Sequence, residues 1–177
     1  MIDKKELKRI KENIRETIKG YYYIGVDEYK IGIVTSAFDL MHAGHILMLK
    51  EAKEHCDCLV AALHDDPSIE RPEKNKPIMS LEERILLIEA NKYVDEYIIY
   101  ETENDLITLF KELKPHVRFL GDDWRDKEWT GKELNIPIIW INRDHGYSTT
   151  ELRKRIYEAE KKKELTHYHD VDEFYKD

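Results

Sequence analysis

Between Ile31 and Ile141 the chain alternates short apolar runs with segments whose apolar residues recur every three to four positions, and this alternation leaves few folds open. The runs span 31–36, 57–63, 96–100, 117–120 and 136–141. They lack the every-second-residue polarity of a half-exposed strand, as expected of strands covered on both faces. Helical spacing occupies 45–55, 80–93, 104–114 and 148–162. Ser80, Asn104 and Ser148 stand where N-caps are expected, and Glu83 completes a capping box with Ser80. Strand and helix alternating over short links predict a Rossmann-like, doubly wound α/β fold: a parallel five-stranded sheet with helices on both faces.

In such a sheet ligands bind beyond the carboxyl ends of the strands. The stretches 65–79, with Pro67, Pro72 and Pro77, and 122–131, with Trp124 and Trp129, each follow a strand and are the expected site loops. Glycine marks special backbone positions most clearly where it is scarce, and there are only 7. Three of them, Gly44, Gly121 and Gly146, fall in candidate site loops.

Outside this core, residues 3–19 form an amphipathic helix with Leu7, Ile10, Ile14 and Ile18 on one face, Asp3 as N-cap and Gly20 just past its end. Its apolar face needs a partner, either this domain or a second copy of the chain, and a homodimer is expected. At the other end Val171, Phe174 and Tyr175 follow His167 and His169, a mobile or interface-packed tail in preference to a metal site. The expected organisation is an N-terminal helix and connector over 1–30, a catalytic domain over 31–156 and a helical extension over 157–177.

A net charge of −8 argues against nucleic acid and against a polybasic membrane surface. No apolar run approaches the roughly 18 residues of a membrane span, and Met1 to Lys8 carries no secretory signal, so a cytoplasmic location is expected. Cys56 and Cys58 are too close for an ordinary disulfide, and with His55 they make an incomplete metal set; both are expected to face the core.

The strongest local signal is Ser36-Ala37-Phe38-Asp39-Leu40-Met41-His42-Ala43-Gly44-His45, between the first core strand and the first core helix. Free N–H groups at a helix N-terminus attract anions, a residue without a side chain lets phosphate approach the backbone, and two imidazoles add donors to the same phosphate. A second anion site is expected at Arg143-Asp144-His145-Gly146-Tyr147-Ser148-Thr149-Thr150, which opens the last core helix.

Five segments in order, Phe38-Asp39-x-x-His42-x-Gly44-His45, Ser80-x-x-x-Arg84, Val94-Asp95-Glu96, Gly121-Asp122-Asp123-Trp124 and Arg143-x-x-Gly146-x-Ser148-Thr149-Thr150, resemble those of the cytidylyltransferase family, nearest in pattern to the glycerol-3-phosphate cytidylyltransferases. The resemblance covers 31–156. It implies transfer of CMP from CTP to a phosphorylated acceptor, with pyrophosphate leaving and no nucleophile from the protein. It implies His42 and His45 at the reacting phosphates, with Lys74 or Lys76 beside them. Arg143, Gly146, Tyr147, Ser148 and Thr149 would hold the triphosphate, with Ser36, Ala37, Phe38, Asp39, Gly44 and Asp122 also against the nucleotide. Arg84, Asp123 and Trp124 would lie against the acceptor, and Mg²⁺ would be carried mainly by the nucleotide phosphates, with no dedicated protein ligands. The chain departs from the pattern at Ala37, where those enzymes have threonine. His-Ala-Gly-His with Arg71-Pro72 and Pro77 is also similar to adenylyltransferases acting on sugar phosphates. A catalytically weak nucleotide-binding regulatory module is a third reading.

Overall fold

The computed structural model describes residues 2–23 and 29–173 and, within these, the side chains of all but 21–23 and 164–173. The side chains of the aromatic stretch 21–24, the turn at Asp27 and Glu28, and the tail side chains of His167, His169, Val171, Phe174 and Tyr175 lie outside what is described.

Five strands, β1 (Ile31–Ser36), β2 (Cys58–His64), β3 (Glu96–Tyr100), β4 (Val117–Gly121) and β5 (Ile138–Ile141), form one parallel sheet in the order β3-β2-β1-β4-β5. Every pairing is parallel, as the crossovers require. The chain winds outward from β1 to one edge and then returns to wind to the other, so a topological switch point lies between β1 and β4. The expected doubly wound sheet is therefore the observed one.

Four helices pack on it, α1 (Lys4–Tyr23), α2 (Ala43–Glu54), α3 (Leu81–Glu89) and α4 (Glu103–Leu113), and α5 (Thr149–Glu173) follows β5 with most of its described side chains exposed. One core joins Ile33, Val60, Ala62 and Ile98 of the sheet to Leu106, Leu109 and Phe110 of α4 and to Leu7, Ile10 and Ile14 of α1. The opposite core joins Val34, Leu59, Ala61, Leu63 and Phe119 to Leu49 and Ala52 of α2 and Ile88 of α3. Helices thus pack on both faces. The apolar face of α1 is buried against its own domain, with Arg9 to Glu96 at 3.1 Å and Lys11 to Glu112 at 2.7 Å along its edge, so α1 requires no second copy.

Several element boundaries differ from expectation. The helix α1 runs through Gly20 to Tyr23, and α5 extends to Glu173. Thr102, not Asn104, caps α4: its side chain accepts from Asp105 N while Asp105 returns a carboxylate oxygen to Thr102 N, a reciprocal pair that outcompetes a lone Asn. Asp3, Ser80 and Ser148 do cap their helices. Cys58 is buried and Cys56 half-buried, both as free thiols, and burial pushes them up to about 12 and about 11.

Candidate active site

The carboxyl ends of β1, β2 and β4, with the loops that follow them, enclose a cleft of about 900 Å³. Small-molecule sites run to roughly 1,000 Å³, so the cleft has room for two substrates side by side. Its histidine wall is built by local backbone geometry. Phe38 and Leu40 adopt positive φ angles of 51° and 46°, turning the chain sharply out of β1. Phe38 is fully buried, and its ring lies 5.6 Å from that of His45.

The helix α2 begins two residues earlier than its apolar pattern suggests, because His42 is the N-cap. His42 Nδ1 accepts from Gly44 N at 3.0 Å, and His45 Nδ1 accepts from His42 N at 3.4 Å. This is a capping box with imidazoles in place of the usual hydroxyl and carboxylate. It fixes the tautomers: with both Nδ1 atoms accepting, each neutral ring carries its proton on Nε2. The rings lie 4.1 Å apart, and His42 Nε2 is 3.3 Å from Thr149 Oγ1. Thr149 Oγ1 in turn donates to the Asp39 carbonyl, so the start of α5 is tied to the start of α2. A Cβ on Gly44 would stand 2.9 Å from the His42 ring and 3.0 Å from the Tyr147 carbonyl, so only glycine fits between the two.

Burial, reinforced by the neighbouring His42 and Arg143, drives His45 down to about 3, and burial likewise lowers His42 and His64. Both cradle imidazoles are therefore neutral at pH 7 without ligand. A histidine with a lowered folded pKa takes up its proton more readily when unfolded, so its contribution is complete above about pH 6.5 and is lost as pH falls toward 3. The thermal midpoint is expected to drop between pH 7.5 and pH 5, with a shallower drop in His45→Asn. Identical acid slopes in the two proteins would contradict it.

Opposite the histidines stands the loop 143–150. Arg143 and the residues His145, Tyr147, Ser148, Thr149 and Thr150 line the cleft, with Ser148 as the N-cap of α5. Gly146 takes a φ of 71°, the left-handed turn that brings this loop back over the site. Arg143 Nη1 lies 3.1 Å from Asp123 Oδ1, and a Cβ on Gly121 would stand 2.6 Å from Arg143 Cδ.

Some expected site residues are placed otherwise. Arg84 was expected against the acceptor, but it is 2% exposed and all its donors are engaged inside the fold. Nη1 donates to the carbonyls of Ala37 and His64, Nη2 to that of Asp65, and Nε to that of Ser80. Nη2 also stands 3.5 Å from the Asp65 carboxylate. Asp39 lines the cleft, yet its carboxylate is taken by Ile78 N, Met79 N and Arg153 Nη2 at 2.7 Å. Burial pushes this carboxyl up, but the Met79 and Ile78 N–H groups and Arg153 outweigh it and hold it below its ordinary range. Asp39 and Arg84 thus position the loops. Asp123 reaches the site only through Arg143, and neither it nor Asp122 lines the cleft, whereas Gly121 and Trp124 do. Of the two lysines, Lys74 lines the cleft with Nζ 5.2 Å from the centre of the Trp124 ring, while Lys76 is exposed, 4.0 Å from Asp66. Ser36 and Ala37 line the cleft where expected.

Sequence reasoning missed Arg153, which holds Asp39 and the Lys76 carbonyl, and a polar group at the far end of the cleft: His64, Arg71, Glu103 and Arg118. A signal existed for Arg118, a charged residue inside an apolar run. His64, Arg71 and Glu103 come from separate segments, and nothing in local spacing joins them.

A doubly wound sheet whose switch point carries a histidine-capped helix facing a second helix N-terminus defines a nucleotidyltransferase of the H-x-G-H superfamily. The chain belongs to the cytidylyltransferase-like family, whose model matches residues 33–155. It is 34% identical over 128 residues to the bifunctional protein HldE of Helicobacter hepaticus (strain ATCC 51449 / 3B1), covering 72% of this chain and 26% of that one. To the bifunctional protein HldE of Aliarcobacter butzleri (strain RM4018) it is 32% identical, covering 75% and 28%. The chain thus spans about a quarter of the length of these relatives. Among solved structures it is similar to the lipopolysaccharide core biosynthesis protein from Thermoplasma volcanium GSS1, with 29% identity and a TM-score of 0.55 over 68% of this chain and all of that one. Among the described residues no helix is long and apolar enough to cross a membrane.

Proposed function

We propose that the chain transfers the CMP unit of CTP to the phosphate of a small phosphorylated alcohol, glycerol 3-phosphate or a similar polyol phosphate, releasing pyrophosphate. The observation that carries this reading is the pair of imidazoles whose Nδ1 atoms are both engaged by backbone N–H groups, with His42 in contact with the first turn of α5. That arrangement aims donors and two helix N-termini at one place, which suits a triphosphate chain.

An oxygen of the acceptor phosphate attacks the α-phosphorus of CTP in line with the α,β-bridging oxygen. The new P–O bond forms as the old one breaks, and pyrophosphate carries away the electron pair. No covalent enzyme intermediate is needed, so the protein positions and neutralises. His42 and His45 donate from Nε2 to the phosphate oxygens as charge builds, and Arg143, Ser148, Thr149 and the first N–H groups of α5 hold the leaving pyrophosphate. Lys74, rather than Lys76, reaches the transferred phosphate. The magnesium complex of CTP is the substrate. The Asp39 carboxylate is taken by Arg153 and by the Ile78 and Met79 N–H groups and offers no free ligand, so Mg²⁺ would be carried mainly by the nucleotide phosphates and would supply charge neutralisation there.

Adenylyl transfer to a sugar phosphate is the second reading, favoured by the Arg71-Pro72 and Pro77 loop and by similarity to a protein named for lipopolysaccharide core biosynthesis. Pyrophosphate release measured with each nucleoside triphosphate and a panel of phosphorylated acceptors tests both. CTP is expected to exceed ATP by at least about tenfold in kcat/KM. A preference for ATP replaces the first reading with the second, and inertness with every pair overturns both.

A further inference from the structure

The cleft has two lobes, set on opposite faces of the sheet by strand alternation. His42 and His45 belong to α2, which packs on the face of Val34 and Leu59. Thr35, His64, Tyr100 and Arg118 line the other lobe from the face of Ile33, Val60 and Ile98, where α4 packs. Arg118 is 4% exposed; it donates to the Thr130 carbonyl at 2.5 Å and to Thr35 Oγ1 at 3.3 Å. Among the described residues no carboxylate comes within ion-pair distance of it. Glu103 Oε2 accepts from Thr130 Oγ1, while Arg71 Nη2 stands 2.9 Å from Glu103 Oε1 and 3.4 Å from His64 Nδ1. Glu103 Oε1, Arg71 Nε and Arg118 Nε are buried without a hydrogen bond. Leaving buried donors and acceptors unmade is costly, and such groups mark places where something else completes them.

We propose that this lobe is the acceptor's specificity pocket: the acceptor carries more hydroxyls than glycerol, as a polyol chain or a sugar ring, and Glu103, Arg71, Arg118 and His64 take them while its phosphate lies at the imidazoles. The inference rests on the nucleotidyl-transfer reading above. Hydroxyls both donate and accept, and the lobe offers a carboxylate beside two guanidinium groups and an imidazole. An apolar tail would leave the buried Glu103 Oε1, Arg71 Nε and Arg118 Nε atoms without the hydrogen bonds they lack. A metal ion is disfavoured although His64, Glu70 and Glu103 have ligand spacing, because the Arg71 guanidinium already stands between His64 and Glu103. Arg71 is half-exposed and is the movable member, its rotation uncovering Glu103 Oε1. Thr35 and Ser36 are consecutive and face opposite lobes, so an acceptor serving both must cross the carboxyl end of β1.

The test measures kcat/KM, with CTP and with ATP, for propyl phosphate, glycerol 3-phosphate, ribitol 5-phosphate and mannose 1-phosphate. The better of the last two is expected to exceed glycerol 3-phosphate by at least about tenfold and propyl phosphate by about a hundredfold, since a site built around hydroxyls rejects analogues that lack them. Which of the two leads separates open chain from ring. Glu103→Gln and Arg71→Gln, each with an unchanged thermal midpoint, are expected to lose most of that preference, lowering kcat/KM for the preferred larger acceptor by at least about tenfold more than for propyl phosphate. Glycerol 3-phosphate equalling both larger acceptors, or variants that slow every acceptor alike, overturns the pocket and leaves nucleotidyl transfer standing. If no pair releases pyrophosphate, the transfer reading fails instead. Calorimetry then decides the pocket: ribitol 5-phosphate or mannose 1-phosphate binding that Glu103→Gln weakens about tenfold supports it, and absence of binding overturns it.

Discussion

His45→Ala is expected to lower kcat by about 10²- to 10³-fold, the usual cost of deleting one preorganised donor at a site of developing charge. The change should fall on kcat more than on KM, because the donor is most valuable once negative charge has accumulated on the transferred phosphate. The structure explains why one imidazole carries so much. His45 Nδ1 is held by His42 N, and the buried Phe38 ring lies against it, so the Nε2 proton is aimed before substrate arrives. A freely rotating side chain would have to be ordered at each turnover. The ring is neutral at rest, and incoming phosphates oppose the burial that keeps it so, which lets it strengthen as a donor during the reaction. Alanine is a good helix former, and the lost capping bond costs only about 1 kcal/mol, so circular dichroism and the folded fraction should be nearly unchanged. Steady-state pyrophosphate release with saturating nucleotide measures the effect. Turnover within a few-fold of the parent would remove His45 from the chemistry and favour a regulatory nucleotide-binding role.

The parts of this site that are local in sequence were legible there. His42, Gly44 and His45 lie within one turn of helix, and their shared function follows from helix geometry alone. The parallel, doubly wound sheet was legible too, because strands and helices alternating over short links leave few other arrangements, whereas the strand order that places the switch point was not. The start of α2 was less so, since histidine is not among the usual capping residues and its apolar pattern begins only with Ile46. Thr102-x-x-Asp105 was available as a capping signal and was outweighed by Asn104, a residue of the right type two positions too late. What no local pattern reveals is the use of an arginine. Arg84 and Arg143 look alike in sequence, each near a candidate phosphate loop. One is sealed among four carbonyls and the other stands half-exposed at the cleft, and only the packing of α3 against β1 and β2 separates them.

That separation makes Arg84 the position with the largest expected effect on stability. Its guanidinium ties Ala37 after β1, His64 at the end of β2, Asp65 beyond it and Ser80 at the cap of α3, fixing both sides of the cleft mouth from one side chain. Burial lowers its affinity for a proton, with Asp65 and Asp39 acting against that, but arginine remains charged and its five donors match the acceptors around it. Arg84→Met keeps much of the volume and leaves those carbonyls without donors. Each buried unsatisfied group costs about 1–3 kcal/mol, though not additively, so a loss of about 3–5 kcal/mol is expected. Arg84→Lys should recover only part of it, because an ammonium has three donors on a compact head and cannot span carbonyls from three segments. Denaturant unfolding of the three proteins measures this, with a shifted midpoint and an unchanged slope as the signature of lost stability alone. Activity per folded molecule adds the functional reading. If Arg84 positions the loop after β1, both variants lose kcat because the turn through Phe38 that aims His45 is loosened, while KM for the acceptor changes little. If Arg84 instead bound the acceptor phosphate, Arg84→Lys would retain stability and raise that KM, and this outcome would return the residue to the role its place in the sequence suggested.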